Sequence, residues 1–213
     1  PLAGRNWLPV GVPVMLDYFP VTSPQPGDVW TTFTHWYGYP QVEYEGEWYG
    51  NKSEEFAKLV GLPGRTKEKL EIATDLHPED QATAEFLANG WSLIDARPHN
   101  TPWQRYRDYA AQSRGEFCVA KNGYVRSRCG WFSDRSAMYL ALGRPVILQE
   151  TGWSDFYPAG EGLLPFHDGE SALAALETVG RDPLRHARAA RAIAEKYCSA
   201  PLVVNQFLET IGH

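Results

Sequence analysis

Apolar and polar positions along the chain fall into short blocks that alternate between two spacings. Runs rich in β-branched and aromatic residues read as strands, and the stretches between them carry apolar residues at helical spacing. The first five strands are Val29 to Thr34 (VWTTFT), Lys69 to Ala73 (KLEIA), Trp91 to Asp95 (WSLID), Glu116 to Ala120 (EFCVA) and Pro145 to Leu148 (PVIL). Gly162 to Phe166 (GLLPF) is expected at an edge, because its proline cannot donate to a ladder. Helices are expected at Ser53 (SEEFAKLVGLP), with acids in the first turn, and at Pro78 (PEDQATAEFLANG), with Gly90 past the end. Another covers Trp103 to Ser113, with Tyr106 and Tyr109 on one face. Later helices start at Ser133 or Asp134, ending at Gly143, and at Glu170, Pro183 and Leu202. Gln41 to Gly50 (QVEYEGEWYG) reads as a small hairpin or an irregular excursion.

Such alternation implies an α/β fold: a Rossmann-like parallel sheet of about six strands with helices on both faces, closed by C-terminal helices. Residues 1–28 are crowded with prolines and read as a linker or the end of a preceding domain, leaving 29–213 as the folded unit. Apolar side chains in that lead-in (Trp7, Leu8, Val14, Leu16, Tyr18, Phe19) imply that it packs on something.

Composition narrows the class. The 213 residues, with 43% hydrophobic content, suffice for one substantial core. A net charge of -6 and a pI near 5.5 argue against nucleic-acid binding, which calls for a basic face. Three cysteines (Cys118, Cys129, Cys198) without a CxxC pair point to a reduced, cytoplasmic protein rather than a disulfide scaffold. No apolar run approaches the roughly 20 residues of a membrane span, and no signal peptide opens the sequence. It begins at Pro1, which sets the expectation of a processed product or a piece of a longer protein.

The candidate chemistry lies between Arg126 and Trp153 (RSRCGWFSDRSAMYLALGRPVILQETGW). A strand, a polar loop from Lys121, a helix start and another strand make an anion corner, because the first N–H groups of a helix lack partners and its dipole favours negative charge. Arg126, Arg128 and Arg135 are expected near that spot as phosphate ligands, or else as ordinary surface arginines. Trp36 and Trp153 are expected as stacking surfaces at the mouth. His35 and His77 read as turn-shaping, Glu150 and Asp155 as site or solvent-facing groups, and the face bearing His186, Arg188 and Arg191 as solvated.

The text GWFSDRSAMYLALGRPVILQETGWSDFYPAGEGLLPF, followed by a helix from Glu170, resembles the nucleotide-sugar-binding half of GT-B glycosyltransferases. CGWFS is also similar to the start of the donor signature of plant natural-product glycosyltransferases. The resemblance implies a C-terminal donor domain that binds a nucleoside diphosphate sugar, with the unknown acceptor and any catalytic base served by an N-terminal domain of the same full-length chain. It places Arg128, Gly130, Trp131, Phe132, Ser133 and Arg135 at the donor diphosphate and Glu150, Thr151, Gly152 and Trp153 at the donor sugar. The base is expected near Ala96, Arg97 and Pro98. Many retaining members carry two glutamates where this chain has Gly130 and Met138, so Asp134 is the nearest carboxylate for the ribose. No cofactor is implied, and no Asp-x-Asp pair calls for a metal. A non-catalytic Rossmann-like scaffold, or another GT-B enzyme such as a sugar-nucleotide epimerase, stays open as an alternative.

Overall fold

The computed structural model of the chain describes residues 8–23, 25–36, 38 and 40–212, so Trp7 of the lead-in lies outside the described residues. Eight strands follow in chain order: β1 Val29–Thr34, β2 Val42–Tyr44, β3 Glu47–Tyr49, β4 Lys69–Thr74, β5 Ser92–Asp95, β6 Gly115–Cys118, β7 Val146–Gln149 and β8 Leu163–Phe166. Among them run α1 Lys52–Ala57, α2 Gln81–Ala88, α3 Arg97–Asn100, α4 Trp103–Gln112, α5 Asn122–Ser127, α6 Asp134–Ala141, α7 Gly169–Arg181, α8 Pro183–Ile193 and α9 Ala200–Thr210. The main sheet has six parallel strands in the order β5-β4-β1-β6-β7-β8, while β2 and β3 form a separate hairpin. This is the expected Rossmann-like α/β architecture, with GLLPF at an edge. No helix among the described residues is long and apolar enough to cross a membrane.

Successive side chains of a strand point to opposite faces, so a sheet covered on both sides favours apolar residues at successive positions. One face gathers Cys118, Val146, Leu148 and Leu163 with residues of α4, α6 and α8. The other gathers Phe117, Val119, Ile147 and Phe166 with residues of α1, α2 and α7. Phe117 and Phe166 stack at 5.1 Å across that second face.

Several boundaries moved, each for a local reason. The stretch after Lys121, expected as a polar loop, is the short helix α5. It lacks an apolar stripe but is anchored from outside, since Asn122 N–H donates to the Asn51 carbonyl and Gly123 N–H to the Gly50 carbonyl. The helix expected from Pro78 starts at Gln81, because Asp80 turns back to accept the N–H of His77 at 2.9 Å. α1 begins one residue before Ser53, with Asn51 at its N-cap and the Glu54 carboxylate accepting the Asn51 N–H at 3.2 Å. The helix after Pro183 loosens into a π turn over Ala194–Cys198.

Part of the lead-in is built into the domain. Val14 bridges the start of α9, donating to the Cys198 carbonyl at 2.7 Å and accepting from Ala200 N–H at 3.0 Å. Arg191 reaches the carbonyls of Phe19 and Ala141 at 3.1 and 2.7 Å, tying lead-in, α6 and α8 together.

The face of α8 expected to be solvated is therefore corrected: Arg188 is exposed, but Arg191 is spent on these carbonyls and His186 is only 4% exposed. His186 Nδ1 accepts the N–H of Gly162 at 3.1 Å. Gly162 (φ +76°) admits this close crossing, since a Cβ there would lie 2.3 Å from the Ala190 nitrogen. Burial holds the His186 pKa below its ordinary 6.5, so the folded chain binds fewer protons here than the unfolded one. Urea unfolding is expected to show a stability contribution that is complete above about pH 6.5 and is lost as pH falls through the folded pKa. His186→Gln should flatten that limb; an unchanged acid limb would assign it to other groups.

Candidate anion site at the carboxyl ends of the strands

From β1 the chain winds outward through β4 and β5, and from β6 it winds the other way through β7 and β8. Ligands in open α/β sheets sit beyond the carboxyl ends of the strands where that direction reverses, here between β1 and β6. The segment after β1 delivers α1, and the segment after β6 delivers α5 and α6.

Around the first turn of α6, polar atoms from three elements are buried without hydrogen-bond partners among the described residues: Lys52 Nζ of α1, Glu116 Oε1 of β6, and Ser133 Oγ and Arg135 Nε at the head of α6. Ser133 is the N-cap residue and fully buried, yet its hydroxyl makes no capping bond. Leaving such a group unpaired costs free energy, and natural structures rarely do so without a functional reason. Lys52 is 6% exposed, and its Nζ lies 6.0 Å from the centre of the Trp131 ring. Burial, reinforced by the Arg135 cation, lowers its pKa from 10.5 to about 8 against the pull of Glu116 and Asp134. Burial also opposes the charge on Arg135, but its neighbours, among them Cys118, Glu116, Tyr106 and Asp134, outweigh it and raise the pKa. Two cations thus face one buried carboxylate. The net positive charge, together with the free amides of α6, suits an anion.

A polar lattice fixes the floor. Glu55 of α1 is 1% exposed and accepts from Asn122 Nδ2 of α5 and from Gln149 Nε2 at the end of β7, each at 2.7 Å. Gln149 in turn accepts the Ala120 N–H at 3.1 Å. The approach to α6 is laced to the turn after β7: Gly130 N–H donates to the Thr151 carbonyl at 2.7 Å, and Thr151 Oγ1 donates to the Trp131 carbonyl at 2.6 Å. Gly152 (φ +95°) closes that turn, donating its N–H to the Glu150 carboxylate.

Of the residues expected from sequence, Arg135 and Ser133 are brought together, and Gly130, Trp131, Thr151 and Gly152 form the adjoining wall. Phe132 is buried and stacks on Tyr157 at 4.1 Å, leaving its backbone for any ligand. Asp134 stays exposed in the first turn of α6. Arg128 is exposed at the left-handed end of α5. Arg126 takes the second of its two expected roles, an exposed arginine paired with Glu47 and the Trp48 carbonyl of the hairpin. The stacking surfaces expected at Trp36 and Trp153 are also corrected. Trp36 is 3% exposed and stacked on Phe56, and Trp153 is fully buried with its indole N–H on the Gln149 carbonyl. Glu150 is likewise buried rather than solvent-facing, whereas Asp155 is exposed.

Arg97 forks onto Asp95 with bonds of 2.7 to 3.0 Å, holding that carboxyl below its ordinary range. It lines a cavity of about 540 Å³ at the ends of β4 and β5, with Thr74, Asp75 and Ile94. Ala96 is buried at that strand end, and Pro98 is exposed within α3. His35 pairs with Asp75 at the surface, and His77 shapes the turn before α2. Lys52 and Glu116 went unremarked in the sequence. The signal for Glu116 was a carboxylate inside a buried strand; Lys52 had only its place at a helix start.

No family model matches the sequence, and no curated protein matches it. Solved structures do match in fold. TarM superposes with a TM-score of 0.60 at 12% identity, over 98% of this chain and 38% of its own. A glycosyltransferase from Rickettsia africae gives 0.59 at 13% identity, over 93% and 55%. The Anabaena HepE protein, solved with UDP and glucose, gives 0.57 at 14% identity, over 93% and 55%. The chain therefore has the fold of one half of GT-B glycosyltransferases and spans about two fifths to just over half the length of these structures.

Lys52 weakens the empty fold. Its folded pKa lies below the unfolded value, so stability rises as pH climbs from about 8 to about 10.5. Lys52→Met removes the buried charge while keeping the length, and urea unfolding at neutral pH should show a gain of up to about 3 kcal/mol. A loss of stability would mean that the ammonium is better solvated than its burial implies.

Proposed function

We propose that this domain binds the diphosphate of a nucleoside diphosphate sugar and serves as the donor half of a glycosyltransferase. The observation that carries the reading is the set of unpaired buried polar atoms around the start of α6, at the reversal of the strand order. Lys52 and Arg135 supply counter-charge, and the first amides of α6 donate to phosphate oxygens. The backbone at Trp131 and Phe132 completes the wall, and Arg128 guards the rim.

Preorganised cations and dipoles favour the state in which charge builds on the departing diphosphate, and they act most strongly where water is excluded. The turn at Thr151 and Gly152 offers the sugar a close backbone approach, with Glu150 buttressing it from behind. Asp134 is the carboxylate available to the ribose, and the hollow beside Arg97 and Pro98 is available to the base. The acceptor, and any base that activates it, belong on another domain. That the Anabaena HepE structure was solved with UDP and glucose agrees with this assignment.

A non-catalytic binding module is the second reading, favoured by Gly130 and Met138 standing where many retaining relatives carry glutamates. Donor turnover by the full-length protein separates the two.

Calorimetric titration with UDP-, GDP- and TDP-sugars is expected to find one that binds. Lys52→Met and Arg135→Gln should each weaken it by about ten- to a hundredfold, the worth of one charged hydrogen bond. Affinity should also fall as pH rises past about 8, where Lys52 loses its proton. Absence of binding by all three donors would remove the proposal.

A further inference from the structure

We propose that Glu116 is the resident counter-anion of this site, a positioning residue that holds Lys52 and Arg135 in place while the site is empty and takes up a proton when a diphosphate arrives. The inference rests on the donor reading above.

Glu116 belongs to β6, where it lies between Thr31 of β1 and Val146 of β7, and it is fully buried. One carboxylate oxygen accepts from Ser136 Oγ at 2.5 Å. The other has no hydrogen-bond partner among the described residues and stands 4.0 Å from Arg135 Nε, itself unpaired. At that separation the carboxylate attracts the guanidinium without gripping it, since a hydrogen bond needs a shorter approach. Arg135 is thereby kept near the site with its donor free for another acceptor.

The groups around Glu116 come from every packed element: Lys52 of α1, Arg135, Ser136, Asp134 and Tyr139 of α6, Tyr106 of α4 and Cys118 of its own strand. Burial raises the Glu116 pKa, and Arg135, Ser136 and Lys52 partly hold it down. With the site empty, two cations and one carboxylate leave a single positive charge. A sugar diphosphate brings two negative charges, which leaves one in excess unless the buried carboxylate is neutralised. One proton from solvent onto Glu116 restores balance, and the surroundings that already oppose its ionisation make it the group to accept that proton.

The test titrates the 213-residue chain with UDP-glucose and GDP-mannose, whose esterified diphosphates have no proton of their own to exchange near neutrality. Calorimetry in two buffers of different ionisation enthalpy, at about pH 6 where Lys52 is already charged, counts protons taken up. Wild type should take up a fraction of a proton approaching one, with affinity falling as pH rises from there. Glu116→Gln keeps the Ser136 contact, and it should bind about tenfold more tightly with no proton uptake and a flat profile over the same range. Binding without proton uptake, or a Glu116→Gln variant that binds equally or more weakly, overturns this inference alone. No binding of either nucleotide sugar to wild type overturns it together with the donor reading. Should Glu116→Gln fail to fold, the wild-type proton count alone decides.

Discussion

The Lys52 ammonium and the Arg135 Nε are buried beside a single buried carboxylate, Glu116, and the rest of the domain is arranged so that this unfavourable arrangement persists. An isolated ion pair in a protein interior rarely repays its desolvation unless hydrogen bonds satisfy every partner. Here Lys52, Arg135 and Glu116 keep unpaired atoms, so the offset must come from elsewhere. It comes from a sheet covered on both faces, whose apolar layers bury Trp30, Phe117, Ile147, Leu148 and Phe166 almost completely.

Topology decides where the strain falls. Because strand order reverses between β1 and β6, the segments leaving those strands diverge there. Lys52 arrives from the β1 side, and Glu116, Ser133 and Arg135 from the β6 side. Helix α6 is held from beneath by Ala137, Tyr139 and Leu140 in the core, which fixes the direction in which its amides point.

The fold was legible because its periods are clean. All six strands of the sheet and the major helices follow from the spacing of apolar residues, and the edge position of Leu163–Phe166 follows from its proline. Short helices escaped because external contacts make them: α5 has no apolar stripe and depends on the carbonyls of Gly50 and Asn51. The α6 corner was readable from Ser133 and Arg135, since a helix start after a strand carries its own chemistry. Lys52 was not, because sequence gives no measure of how far apart two residues eighty positions distant will lie. Trp36, Trp153 and His186 misled for a related reason. A residue in a loop, or on the polar side of a helical wheel, is buried when another segment crosses it, and the crossing segment is long-range information.

The Glu55 lattice ties the two sides of the strand-order reversal together. One carboxylate joins α1, α5 and the end of β7, so these elements share a single rigid support. The donors gathered there surrendered their freedom when the chain folded, so an anion bound at that corner would spend no binding energy on ordering them.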